Sequence, residues 1–259
     1  MKSQIAICIP VNFKNRQEIA AALADKYGSE YVFMGRVFHS TINSDSCAVD
    51  IRSGAEHFSK SDRQIWSESN PKTSLADDFE LATRNRLDLV TRQQIDRCPQ
   101  IIHLTCETTG YDACLQIARL AQVLLTIGGV AIKVESTGIA HPRQKWLDNY
   151  SSDDPFEIYS LFVQLIEGED YYYSCGMHNF GKADVAISLS EDISLAIYVM
   201  NVFNYYRLTE SPILQDGHTF QPDIGCSRYQ MQWLEDNEEA AYSLGHNPYG
   251  RWLLEIEGG

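Results

Sequence analysis

Ile101-Ile102-His103-Leu104-Thr105-Cys106 opens the stretch of this chain whose reading decides the fold. Thr108-Thr109-Gly110-Tyr111-Asp112 follows, then an apolar run to Ile127, then Gly128-Gly129-Val130-Ala131-Ile132-Lys133-Val134. The first and last parts are short and rich in Ile and Val, as buried strands are. The middle begins with hydroxyls and an acid and ends in two glycines, the usual start and stop of a helix. Residues 101–134 therefore predict a βαβ unit, with two parallel strands paired across a right-handed crossover.

Outward from that unit, residues 5–10 read as a buried strand and residues 14–27 as an amphipathic helix, with Ile19, Ala22, Leu23 and Tyr27 on one face and Gly28 ending it. Residues 31–38 and 47–51 are predicted strands, residues 53–74 a long polar loop, and residues 75–97 one helix ended by Pro99. Past Asp153-Asp154-Pro155, residues 157–167 and 170–175 predict a hairpin turned at Gly168. Then come a strand at 184–189, an apolar helix at 193–208, an irregular stretch, and closing strands at 228–234 and 252–257. Alternating elements followed by clustered strands predict a mixed α/β or α+β fold, with a mixed β-sheet and packed helices in two lobes. Residues 1–150 form an α/β lobe and residues 151–259 an acidic α+β lobe, together one compact globule.

Charge divides along the same line. Residues 1–147 carry 17 Lys/Arg against 16 Asp/Glu, whereas residues 148–259 carry 4 against 19, so the net charge of −14 belongs to the second half. A field of that sign repels nucleic acid and anionic membranes and attracts basic proteins. The longest apolar stretch, residues 113–132, is interrupted by Gln116, Arg119 and Gln122 and reads as helix plus strand, not as a membrane span. The apolar run at residues 5–11 is too short for a secretory signal. Seven scattered cysteines without a CxxC spacing predict neither a disulfide framework nor a zinc site, and a cytoplasmic protein is expected.

Glu107 and Glu135 each follow a strand of the βαβ unit, at the edge where parallel sheets bind ligands. With His141 they form a candidate acid–base or metal-assisted hydrolytic trio. His178 and Asp184 flank the turn Gly176-Met177-His178-Asn179-Phe180-Gly181-Lys182-Ala183-Asp184 and form a second candidate pair, although a scaffold turn with Phe180 plugging a core is the plainer reading. No dinucleotide, phosphate-loop, nucleophile-elbow or zincin motif is present, and neither a cofactor nor a metal is expected. Candidate partner-binding residues are the acids Asp153, Asp154, Glu167, Glu169, Asp170, Glu235, Asp236, Glu238 and Glu239, with Tyr172 and Trp233 as aromatic anchors.

The glycine-based pieces Gly110-Tyr111-Asp112, Gly128-Gly129-Val130-Ala131, Glu135-Ser136-Thr137-Gly138 and Gly176-Met177-His178-Asn179-Phe180-Gly181-Lys182-Ala183-Asp184 resemble a bacterial family of domains of unknown function. Its members carry a T-G-M-x-x-F-G-x-x-D-type turn after a tyrosine-bearing strand. The resemblance covers residues 101–190, and this chain departs from the pattern in reading Ser174-Cys175 before Gly176. It implies a cytosolic α+β protein without established catalytic residues, of a kind found among accessory and immunity proteins of polymorphic toxin systems. The expected function is a non-enzymatic binding protein that neutralises a cognate toxin, or another basic protein, by occlusion. The alternatives are a hydrolase using Glu107, Glu135 and His141, and a structural or regulatory module of a larger assembly.

Overall fold

The computed structural model describes residues 4–53, 74–84, 86–149, 154–235 and 246–258. The fold is α+β, built on two sheets. Of the polar loop expected at 53–74, all but the two ends lies outside the described residues.

The first sheet holds β1 (Ile5–Val11), β2 (Tyr31–Met34), β3 (Val37–Ser40), β4 (Ser46–Ser53), β5 (Gln100–Cys106), β6 (Ala131–Val134) and β7 (Ile139–Pro142). Their order is β2-β3-β4-β5-β1-β6-β7, and every pairing is antiparallel. Strands β5 and β6 thus run in the same direction, as the βαβ reading requires, but they are not neighbours. Strand β1 lies between them, pairing Ile7 with both Leu104 and Val134. Its apolar run has both faces buried, so the sheet's centre is where it is best covered. The connecting helix α4 (Tyr111–Ile127) has 17 residues and is about 25 Å long, enough to pass over one strand. With α1 (Arg16–Tyr27) it makes a split βαβ pattern of ferredoxin-like type, widened at one edge by the β2–β3 hairpin.

Side chains alternate across β1. Ile5, Ile7, Ile9 and Val11 enter the main core with Ile19, Leu23 and the inner face of α4, and Cys8 points to the other side. Each fully buried Ile contributes about 1.5–3 kcal/mol relative to exposure. The outer face is covered by α2 (Leu75–Ala82) and α3 (Leu89–Asp96), through Leu75, Ala76, Phe79 and Ile95. One helix was expected across 75–97. The chain breaks at Arg84, whose φ is +56°, and restarts under the Asp88 cap.

A further expectation is corrected. Residues 155–162 are not strand but helix α6 (Pro155–Phe162), because Asp154 accepts the Phe156 amide and Pro155 starts the first turn. Strand β7 and helix α5 (Arg143–Asn149) occupy a region for which the sequence suggested no element. Helix α6 and the 3-10 turn at Met177–Phe180 pack into the main core through Ile158, Leu161, Phe162, Met177 and Phe180.

The second sheet holds β8 (Gln164–Glu167), β9 (Tyr171–Cys175), β10 (Asp184–Ser188), β11 (Thr219–Phe220), β12 (Tyr229–Leu234) and β13 (Arg251–Ile256), in the order β11-β12-β13-β10-β9-β8. Strands β10 and β13 are parallel and the other pairs antiparallel, so this sheet is mixed. Helix α7 (Ile193–Thr209) buries Ala196, Val199, Met200 and Phe203 against it. No helix among the described residues is long and apolar enough to cross a membrane.

Candidate functional site

The trio Glu107, Glu135 and His141 does not assemble. Glu107 and Glu135 end up at one edge of the first sheet, beyond β5 and β6, with β1 between them. His141 lies on the opposite face, because it alternates with Ala140, which faces α2 and α3. Its Nε2 is 2.9 Å from the Leu161 carbonyl and its ring 5.9 Å from Trp146, and burial lowers its pKa to about 4. This histidine ties β7 to α6 as a neutral ring.

Glu135 joins a different cluster. Register places His103, Cys8 and Lys133 side by side on β5, β1 and β6 of the outer face. The Lys133 ammonium is 2.5 Å from Asp78 of α2 and 3.4 Å from Glu135. Burial opposes its charge, but Glu135 and Asp78 prevail and hold its pKa above the ordinary lysine value. Burial, then Glu135, pushes the Cys8 thiol well up, so it is a protonated, unreactive group. Asp78 and Lys133 were not anticipated. The available signal was Asp78 on the Leu75–Phe79–Ala82 stripe of α2, and a lysine inside the run of residues 130–134. On the inner face Cys47 and Cys106 meet directly across β4 and β5, their Sγ atoms 2.7 Å apart. The hydrogen bond between them raises the pKa of Cys47 and lowers that of Cys106.

The pair His178 and Asp184 does not form either. The Asp184 oxygens take Ser174 Oγ at 2.9 Å, the Met177 amide at 3.2 Å and Asn247 Nδ2 at 2.7 Å. Burial raises its pKa to about 6 against those three donors, so it is a carboxylate at pH 7. His178 is buried, not exposed, and burial lowers its pKa to about 4. Gly176 at the head of this turn has φ +129°, and a Cβ there would stand 2.1 Å from the Phe162 carbonyl oxygen. Phe180 meets Phe162 edge-on at 6.0 Å. The turn is a clamp between the two sheets.

Behind it runs a buried polar chain. Tyr159 donates to Asn201, Asn204 donates to the Tyr159 oxygen at 3.1 Å, and Arg207 donates to Asn204 and, at 2.8 Å, to the Ala183 carbonyl. Asn204 and Arg207 occupy the apolar stripe of α7 set by Ala196, Met200 and Phe203, which is the sequence signal for them.

Among the acidic candidates, Glu167, Glu169, Asp170 and Glu235 are exposed, and Asp154 is exposed as the α6 cap. Asp153, Asp236, Glu238 and Glu239 lie outside the described residues. Tyr172 packs at the rim of the second core, and Trp233 stands edge-on to Trp252 at 4.8 Å. Of the four basic side chains of this half, only Arg228 is exposed. Arg207 is buried, Lys182 faces a pocket, Arg251 lies 4.6 Å above the Tyr173 ring, and Arg228 pairs with Glu257 at 3.6 Å. Among the described residues no three His, Cys, Asp or Glu side chains gather to hold a metal ion.

No protein-family model matches this chain, and neither does any curated protein or solved structure.

Proposed function

We propose that this protein is a non-catalytic binder of a basic protein, which docks on the acidic second half. The observation that carries the reading is the opposed placement of charge in that half. Glu167, Glu169, Asp170, Glu235 and Glu255 face solvent, while Arg207, Arg251 and Lys182 are drawn into protein contacts or a pocket. Charge exposed to solvent on that half is therefore mostly acidic, and such a field steers a cationic partner and fixes its orientation. The separation of Glu107, Glu135 and His141 removes the geometric support for the hydrolase alternative. In its narrowest form the reading is a cytosolic immunity protein that occludes the basic substrate groove of a bacterial toxin.

The test is association with the product of the neighbouring reading frame, measured for the native protein and for a Glu167→Gln/Glu169→Gln/Asp170→Asn/Glu255→Gln variant, whose four acids lie at one end of the second sheet. Exposed charges are screened beyond about 8 Å at physiological salt, so the native association rate should fall at least about tenfold between about 0.05 and 0.5 M salt. The variant should start slower and depend less on salt. Equal rates for both proteins across that range would overturn the acidic face as the docking surface.

A further inference from the structure

Lys182 and Arg207, two of the four basic residues in a half that holds 19 acids, line one pocket. Its volume is about 290 Å³, and its remaining wall includes Gly181, Leu214, Trp233, Tyr249 and Trp252. Among the described residues, neither Lys182 nor Arg207 has a carboxylate within ion-pairing distance. Asp184 attracts Arg207 through the protein, but its oxygens are taken by Ser174, Met177 and Asn247. Arg207 is 4% exposed, with both terminal nitrogens used internally and Nε without a hydrogen-bond partner. It acts as fixed positive charge in the floor. Lys182 is the movable cation at the mouth, its Nζ in a 3.4 Å contact with Ser211 Oγ.

Asp184 offsets part of the Arg207 charge, and among the described residues no carboxylate lies within ion-pairing distance of Lys182, so an anion in the pocket would gain from both cations at short range. We propose that this pocket binds a small phosphate monoester carrying a flat ring, of mononucleotide size. A phosphate monoester bears close to two negative charges at neutral pH and accepts hydrogen bonds from the Lys182 ammonium on any of three oxygens, while Arg207 adds its positive charge from the floor. The Trp233 and Tyr249 rings supply the apolar wall that a base needs, and base–aromatic stacking is tolerant of base identity. The volume sits at the small end of ligand pockets, which suits one nucleotide and no polymer. Burial and the nearness of Arg207 lower the Lys182 pKa, a shift that a bound anion would reverse. Trp233 is also a candidate anchor for the protein partner, but no acid of the docking surface lines the pocket, so small-molecule binding and partner association are measured separately.

Calorimetric titration of the isolated protein with AMP, phenyl phosphate, adenosine and inorganic phosphate tests the proposal. AMP should bind at least about tenfold more tightly than adenosine or phosphate alone, with quenching of tryptophan fluorescence. Tighter binding of AMP than of phenyl phosphate assigns a nucleotide, and the reverse order assigns an aryl phosphate of the same class. Lys182→Gln should weaken binding at least about tenfold while the melting temperature stays in place, and this mobile side chain is chosen because Arg207 variants are expected to unfold. No heat from AMP or phenyl phosphate up to about 1 mM would overturn the proposal. So would equal affinity for AMP and adenosine, or a Lys182→Gln protein that binds as the native one does.

Discussion

Lys133 of β6 and Asp78 of α2 form a buried ion pair, 2.5 Å between Nζ and Oδ2, across the outer face of the first sheet. Asp78 is 2% exposed and Lys133 8%, so protein groups, Glu135 beside Lys133 among them, stand in place of water around both charges. Such a pair contributes little net stability against an apolar substitute, but losing one partner leaves the other's buried charge poorly compensated. Lys133→Met should therefore cost about 3–5 kcal/mol, and Lys133→Met/Asp78→Leu should recover most of it. Urea unfolding of the two single variants and the double checks this. A single variant within about 1 kcal/mol of the native protein would mean that α2 is fastened by Leu75, Ala76 and Phe79 alone.

The clamp turn gives a comparison between two glycines with positive φ. Gly176→Ala would drive a methyl group into the Phe162 carbonyl at 2.1 Å, whereas Gly181→Ala meets only Thr109 Oγ1 at 3.3 Å. Thermal melts should rank Gly176→Ala far the more destabilising, although both positions disfavour a side chain. Phe180→Ala, which empties the space against Phe162, should cost about 3–5 kcal/mol. Equal losses at the two glycines would contradict the close approach of this turn to α6.

Acid should weaken the fold before ordinary carboxylates protonate. Burial holds His141 and His178 near pKa 4 in the folded state, against an ordinary 6.5. The unfolded chain therefore takes up two protons below pH 6.5 that the folded one refuses until about pH 4, and stability falls across that window. Asp184 works the other way, since burial raises it to about 6 and the folded state protonates first between about pH 6 and 3.8. The balance is one proton, or about 1.4 kcal/mol lost per pH unit between pH 6 and 4. In His178→Gln the remaining histidine and Asp184 cancel, and the slope over that range should nearly vanish. Urea titrations at pH 6, 5 and 4 would show it, and an unchanged slope would place the His178 proton elsewhere.

Strands β1 and β10 and helices α4 and α7 could be read from the sequence because their apolar spacing is local and repeats every two or three to four residues. Helix α6 could not, because residues 156–163 are apolar in both periods and only Asp154-Pro155 announced a helix start. The insertion of β1 between β5 and β6 was hidden for a different reason: strand order is set by which run is best buried on both faces, a property of the whole sheet. The same distance limits the sites. Lys182, Arg207, Trp233 and Tyr249 meet through β10, α7 and the segment before β13, and nothing in their spacing says so. What could be read was charge, since the acidic excess is a sum over residues and needs no partner.

The main core of the first sheet closes only with Ile158, Leu161, Phe162, Met177 and Phe180. A nascent chain that has reached Asn149 has made every strand of that sheet and still lacks part of its cover. At about 5–20 residues per second, the 31 residues from there to Phe180 take roughly 1.5–6 s to add. During that interval the inner face, with Trp146 and His141 near its edge, waits on the ribosome as an apolar surface open to chaperones and to other nascent copies. The yield of this protein in the cell should therefore depend on translation speed between α5 and the clamp turn, which synonymous codons there would change.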